Sequence, residues 1–156
     1  MLFRSHPIEQ EVLDAINLIR TQPTYLLNKA LPRWLDSTQT KKSLYVRSLI
    51  RELESFHGAP AMMRDARLDS LAANHARTMG KSGKTGHSQG PGKEFAQRTK
   101  HLFDAGIGAA ESLQYGYEKG LDIVFDLLID EGTPGTGHRK QLLNEKYTCI
   151  GIEIGR

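Results

Sequence analysis

Two histidines follow glycines in segments rich in helix breakers: His87 in Thr85-Gly86-His87-Ser88-Gln89 and His138 in Gly135-Thr136-Gly137-His138-Arg139. A glycine before the ring lets backbone or ligand approach closely, and loops carried on a rigid scaffold are where sites usually sit. A neutral imidazole in such a place can ligate a divalent cation or move a proton. A Gly-His pair by itself is more often a solvated surface feature, so the acidic residues decide the matter. Glu111 lies between Ala109-Ala110 and Ser112-Leu113, at the mouth of an apolar stretch. A carboxylate there needs a partner, or a set of N–H groups to cap, because burying a bare charge costs several kcal/mol. Asp130 and Glu131 end the most regular helical pattern in the chain. The helix macrodipole disfavours acids at that end, so the pair calls for a compensating cation or for plain solvation. Gly132 to Gly137 then leads to a helix start with Arg139 and Lys140. That loop offers N–H groups to an anion, but it lacks the Walker spacing and is a weak phosphate signal. His6, His57, His75 and His101 lack such surroundings; His75 falls on the inner face of a helix, as a hydrogen-bonded, partly buried ring would.

The elements that must position these groups follow from periodicity. Pro7 opens a helix in which Ile8, Val12, Leu13, Ile16 and Ile19 recur at helical spacing. Pro23 ends or kinks it, with a restart over 24–30, and residues 31–41 read as a loop around Pro32. A helix is expected over 43–56, stopped by His57-Gly58-Ala59-Pro60. Asp65 caps a third, with Leu68, Leu71, Ala72, His75, Ala76 and Met79 on one face. Residues 81–92 are Gly/Ser-rich loop, 93–104 a short helix, and 106–113 a loop entering a buried strand. The clearest helix runs over 117–131, with Leu121, Val124, Phe125, Leu128 and Ile129 inward. His138 opens a last helical turn, and residues 149–154 alternate as a strand does. There is no internal repeat and no linker. Helices with a small, late sheet predict an α+β fold in one domain over 1–156.

Composition narrows the function. The chain has 156 residues, 25% charged and 38% hydrophobic, with net charge +3. This is enough for one core and ordinary for a globular protein. No basic run exceeds a pair such as Lys41-Lys42, and aromatic residues are 7%, so neither a nucleic-acid tract nor a stacking platform is indicated. The single cysteine, Cys149, excludes an intrachain disulfide. Residues 1–20 contain no apolar core of a signal peptide, and no apolar run is long enough to span a membrane.

Taken together, these residues resemble the CAP superfamily, the fold of cysteine-rich secretory proteins, venom antigens and plant pathogenesis-related proteins. The resemblance runs from Ile8 to Gly155. Asn17-Leu18-Ile19-Arg20 looks like the end of the family's first helix. The helix over 68–80 followed by Gly86-His87-Ser88 looks like its second motif, and Ala110-Glu111-Ser112 stands where the family has glycine-glutamate-asparagine. Leu128-Ile129-Asp130-Glu131-Gly132 through Gly137-His138-Arg139 looks like its acid-then-histidine segment, closest to the cysteine-poor branch of bacteria and protists. The resemblance implies an α-β-α sandwich with helices around a small, mainly antiparallel sheet. It also implies a cleft shared by His87, Glu111, His138 and either Asp130 or Glu131, with Asp130 favoured by its place after the apolar stripe. Three departures stand out. Ser112 replaces asparagine, the loop before His138 is short, and relatives carry at least one strand beyond the position of Arg156, so truncation at the last strand and an open sheet edge are expected.

Imidazole and carboxylate groups suit Zn²⁺ or another divalent cation; no organic cofactor is indicated. The leading expectation is a cleft-centred binding domain without catalysis. It would hold a cation beside a lipid, sterol, peptide or glycan, and by resemblance it would work outside the cell or at its surface. The first alternative is a metal-assisted peptide or ester hydrolase with His87 and His138 as ligands and Glu111 as general base. The second is a purely structural tetrad in an interaction module.

Overall fold

Helix α1 (Pro7–Thr21) begins where His6 and Glu9 cap each other's backbone reciprocally, with Pro7 in the first turn. The computed structural model describes residues 6–155 of the chain. Val12, Ala15, Ile16 and Ile19 form the buried stripe of α1. A short turn α2 (Pro23–Tyr25) and a π-helical turn (Leu26–Ala30) carry the chain into α3 (Leu31–Ser37). Residues 31–37 are therefore helix, not loop. Pro32 falls in the first turn, where its missing N–H breaks no bond, and Leu31, Trp34 and Leu35 bury one face. Helix α4 (Leu44–Ser55) starts at Ser43, whose hydroxyl accepts the Val46 N–H at 3.2 Å. Its stripe of Val46, Leu49 and Leu53 meets α8 (Gly120–Ile129), which is buried nearly all round.

The core sits where α1, α3, α4 and α8 converge. Trp34 packs on Phe125 with ring centroids 4.9 Å apart, and its indole N–H donates to Asp122 at 2.7 Å. Along α1, helix α8 approaches so closely that a Cβ on Gly120 would meet the Glu11 Cβ at 2.4 Å; only glycine fits. Helix α5 (Ala66–Ser82) is capped by Asp65 and closed by Gly83 in the left-handed region.

The sheet consists of β1 (Met63–Arg64) and β2 (Cys149–Ile150), paired in parallel. Two expectations are corrected by it. The described ladder is parallel where a mainly antiparallel sheet was expected, and the late strand covers 149–150 rather than 149–154. Residues 106–113 are largely loop as expected, but among the described residues no strand follows them. The helix expected over 93–104 is two short ones, α6 (Phe95–Arg98) and α7 (Lys100–Asp104), separated at Thr99. Helix α9 (Gly137–Leu143) follows α8 through a glycine-rich turn. The fold is helix-rich α+β. Among the described residues no helix is long and apolar enough to cross a membrane.

Two fully buried arginines tie these pieces together. Arg20 gives its Nε to Pro60 O at 2.7 Å, its Nη1 to Leu142 O and Asn144 O, and its Nη2 to Tyr147 O at 2.8 Å. Burial without a carboxylate pushes its pKa down. Asn17, three residues earlier, exchanges two hydrogen bonds with the Met62 backbone. The Asn17–Arg20 pattern thus anchors β1 and the end of α9 to α1.

Candidate functional site

Asp130 terminates α8 with φ 56°, the left-handed geometry that aspartate tolerates better than most residues. Its buried carboxylate turns to the next helix. One oxygen accepts the His138 backbone N–H at 3.0 Å, and the other faces His138 Nδ1 at 2.8 Å. An acid set against the dipole of α8 is thereby compensated at the N-terminus of α9. Arg139 completes the hinge. Its buried guanidinium donates to Leu128 O at 2.6 Å and Ile129 O at 2.9 Å, the last carbonyls of α8, and reaches Tyr45 O, Ser48 and Glu52 on α4.

The other histidine is placed by loops. His87 Nδ1 lies 2.8 Å from Glu111 Oε1. One nitrogen of Arg98, Nη2, donates to both oxygens of Glu111 at 2.9 Å and to His87 O at 3.1 Å. His75, buried on α5 as expected, stands with its Nε2 4.0 Å from Glu111 Oε1. In both pairs the carboxylate takes Nδ1–H, which leaves Nε2 of each ring as its second nitrogen. The His87 side chain is 51% exposed and that of His138 24%.

A small cavity of about 100 Å³ adjoins the second pair, lined by Leu113, Asp126, Asp130, Glu131, Thr133 and His138. Leu113 belongs to the same short segment as Glu111, and Ser112 between them bonds Gln141 of α9 at 2.7 Å. Residues 111–113 therefore bridge the two pairs. Glu131 lines the cavity too, but its carboxylate accepts the hydroxyl of Ser43, the cap of α4. A larger hollow of about 660 Å³ lies between the turn after α1 and the end of α4, beside Pro23, Tyr25, Phe56 and His57. It shares no residue with either pair, so size does not mark the chemistry here.

Sequence reasoning missed Arg98, Tyr115 and Asp126. Asp126 lies four residues before Asp130 on one helix, a spacing that puts both on one face. Burial first, and then the charge of Asp130, push its pKa up, against Gln114 and His138. Nothing local in the chain marks Arg98 or Tyr115. Among the described residues, no three His, Cys, Asp or Glu groups gather closely enough to hold a metal ion. Of the five expected residues, His87 pairs with Glu111 and His138 with Asp130, while Glu131 meets the Ser43 hydroxyl.

Searches of curated proteins and of solved structures gave no match. A family model described as the cysteine-rich secretory protein family matches residues 13–156, nearly the whole chain. With the match running from the middle of α1 to residue 156 and including both histidine–carboxylate pairs, the chain belongs to the CAP family.

Proposed function

We propose that this CAP domain is a binding module without chemistry of its own. It holds a divalent cation, zinc first, through Nε2 of His87 and His138, beside an extracellular lipid, sterol, peptide or glycan. The carrying observation is the shared geometry of the two rings: each has Nδ1 facing a carboxylate at 2.8 Å. Ligating histidines are oriented in this way, with the far nitrogen held by an acid that sets tautomer and ring direction. Glu111 and Asp130 act in this role as orienting acids rather than ligands. Among the described residues no three such groups gather, so solvent or the bound ligand would fill the remaining positions.

Calorimetric titration with zinc tests this. Wild-type protein is expected to bind, and a His87→Ala, His138→Ala double variant to lose the binding; equal affinity in both ends the metal proposal. Protons compete with metal for imidazole, so affinity falls as the solution is acidified. A flat response from about pH 8 to about pH 5 would remove histidine from the ligand set.

A purely structural role has its own support, since the oxygens of Glu111 and Asp130 are all engaged by groups of the protein. Absence of zinc binding in the wild type decides for it. A hydrolase using Glu111 as base is disfavoured by the contact of both its oxygens with Arg98. Turnover of ester or peptide probes that disappears in Glu111→Gln would restore that possibility.

A further inference from the structure

His87 sits in a segment without helix or strand, yet the peptide before it is gripped from both sides. The Gly86 N–H donates to the Tyr115 hydroxyl at 2.9 Å, and the Gly86 carbonyl lies 3.0 Å from His75 Nε2. The Gln89 side-chain amide, 3.3 Å from His75 Nδ1, donates to that nitrogen and so leaves the ring proton on Nε2, facing the Gly86 carbonyl. On the far side of the ring, Arg98 holds the His87 carbonyl. Gly86 itself has φ 102°, a conformation other residues reach only with strain. Three side chains from three separate stretches, α5, α6 and residue 115, therefore set the course of the backbone through position 87.

We infer that Tyr115, His75 and Arg98 are positioning residues for His87, with the Tyr115–Gly86–His75 clamp aiming its ring at Glu111. The inference rests on the binding role proposed for His87, but the clamp itself has a readout that needs no metal. A loop ring left to itself samples several directions, and a fixed one presents Nε2 in a single direction at no further entropic cost. The clamp supplies that fixing. Tyr115 suits a test because the residue is 54% exposed and its hydroxyl is the only part the clamp uses.

In Tyr115→Phe, amide exchange at Gly86 is expected to quicken about tenfold, since the released N–H meets solvent. The ¹⁵N and ring-proton signals of His87 should broaden or split while those of His138 stay in place. Zinc affinity should fall about tenfold, the lower end of what removal of a supporting contact costs a metal site. Gly86→Ala provides a second variant: its Cβ meets nothing within 4 Å, but the positive φ is disfavoured, so the peptide turns and both grips are lost. The same changes are expected there. Unchanged Gly86 exchange in both variants overturns the clamp. So does faster exchange with His87 signals unmoved, because the contacts would then be structural only. Should wild-type protein take no zinc, the proposed function falls, and the His87 signals of the metal-free variants still decide the clamp.

Discussion

The two histidine–carboxylate pairs use the same distance and the same ring nitrogen, yet they are built in opposite ways. Asp130 and His138 are eight residues apart, at the facing ends of α8 and α9, over the buried Arg139. His87 and Glu111 are 24 residues apart on segments without regular structure, joined by Arg98 and the Gly86 contacts. Around His138 the helices and core impose the geometry, and the pair follows. Around His87 the side-chain contacts are themselves the scaffold. From Lys81 to Lys119, Thr99 and Leu102 are the only buried residues among those described. Local opening should therefore cost little at His87 and nearly the full unfolding free energy at His138.

The largest expected effect breaks the rigid half. Arg139→Ala leaves the Leu128 and Ile129 carbonyls, held at 2.6 and 2.9 Å, without their buried donor. A loss of about 3–5 kcal/mol in urea-unfolding free energy is expected, as for other broken buried charge networks. Arg98→Ala in the loop half should cost clearly less, because its surroundings can open to water. Equal losses would show that the two halves are equally rigid.

A smaller contrast concerns the acids. Asp130→Ala removes two hydrogen bonds and places alanine at φ 56°; about 2–3 kcal/mol is expected. Asp130→Asn keeps an acceptor in a residue that tolerates this conformation, so about 1 kcal/mol is expected. Glu111→Ala should also cost about 1 kcal/mol, since the released Arg98 can reach solvent. Denaturant titration of the three variants sharpens the comparison, and a Glu111→Ala loss as large as that of Asp130→Ala would undo it.

The smallest effect is on pH dependence and belongs to the rigid half alone. Asp126 has its pKa raised above 3.8 by burial and by the charge of Asp130. The folded state then holds this proton more tightly than the unfolded chain does. Its contribution is full below the unfolded value of 3.8 and is lost as pH rises through the raised folded value. Asp126→Asn is expected to flatten this part of the stability–pH curve just above 3.8 and to leave His87 signals unchanged. An identical curve in the variant would remove Asp126 from the titration.

Much of the fold was legible because helices carry local signals. The stripes of α1 and α4, the cap at Asp65 and the break after α8 all arise from contacts within a few residues, whereas Leu121, expected inward on α8, is exposed. Where the expectation failed, a local rule met a tertiary one. Pro32 predicts a break, but Trp34 and Leu35 bury against the core and the proline falls in the first turn, where a helix accepts it. The strand expected near Glu111 did not form because strands need a partner, and none pairs there among the described residues.

By itself, the amino-acid order determined which groups were available for chemistry: two imidazoles after glycines, an acid in a run of small residues, and an acid pair at a helix end. It also determined the family, through motifs spread over nearly the whole chain. Tertiary structure alone decided who partners whom. Arg98 reaches Glu111, Tyr115 reaches Gly86 across 29 residues, and Arg139 holds the last carbonyls of α8 next to Asp130. Such pairings depend on where loops close in space, and the entropy of loop closure changes so slowly with length that no spacing in the sequence singles them out.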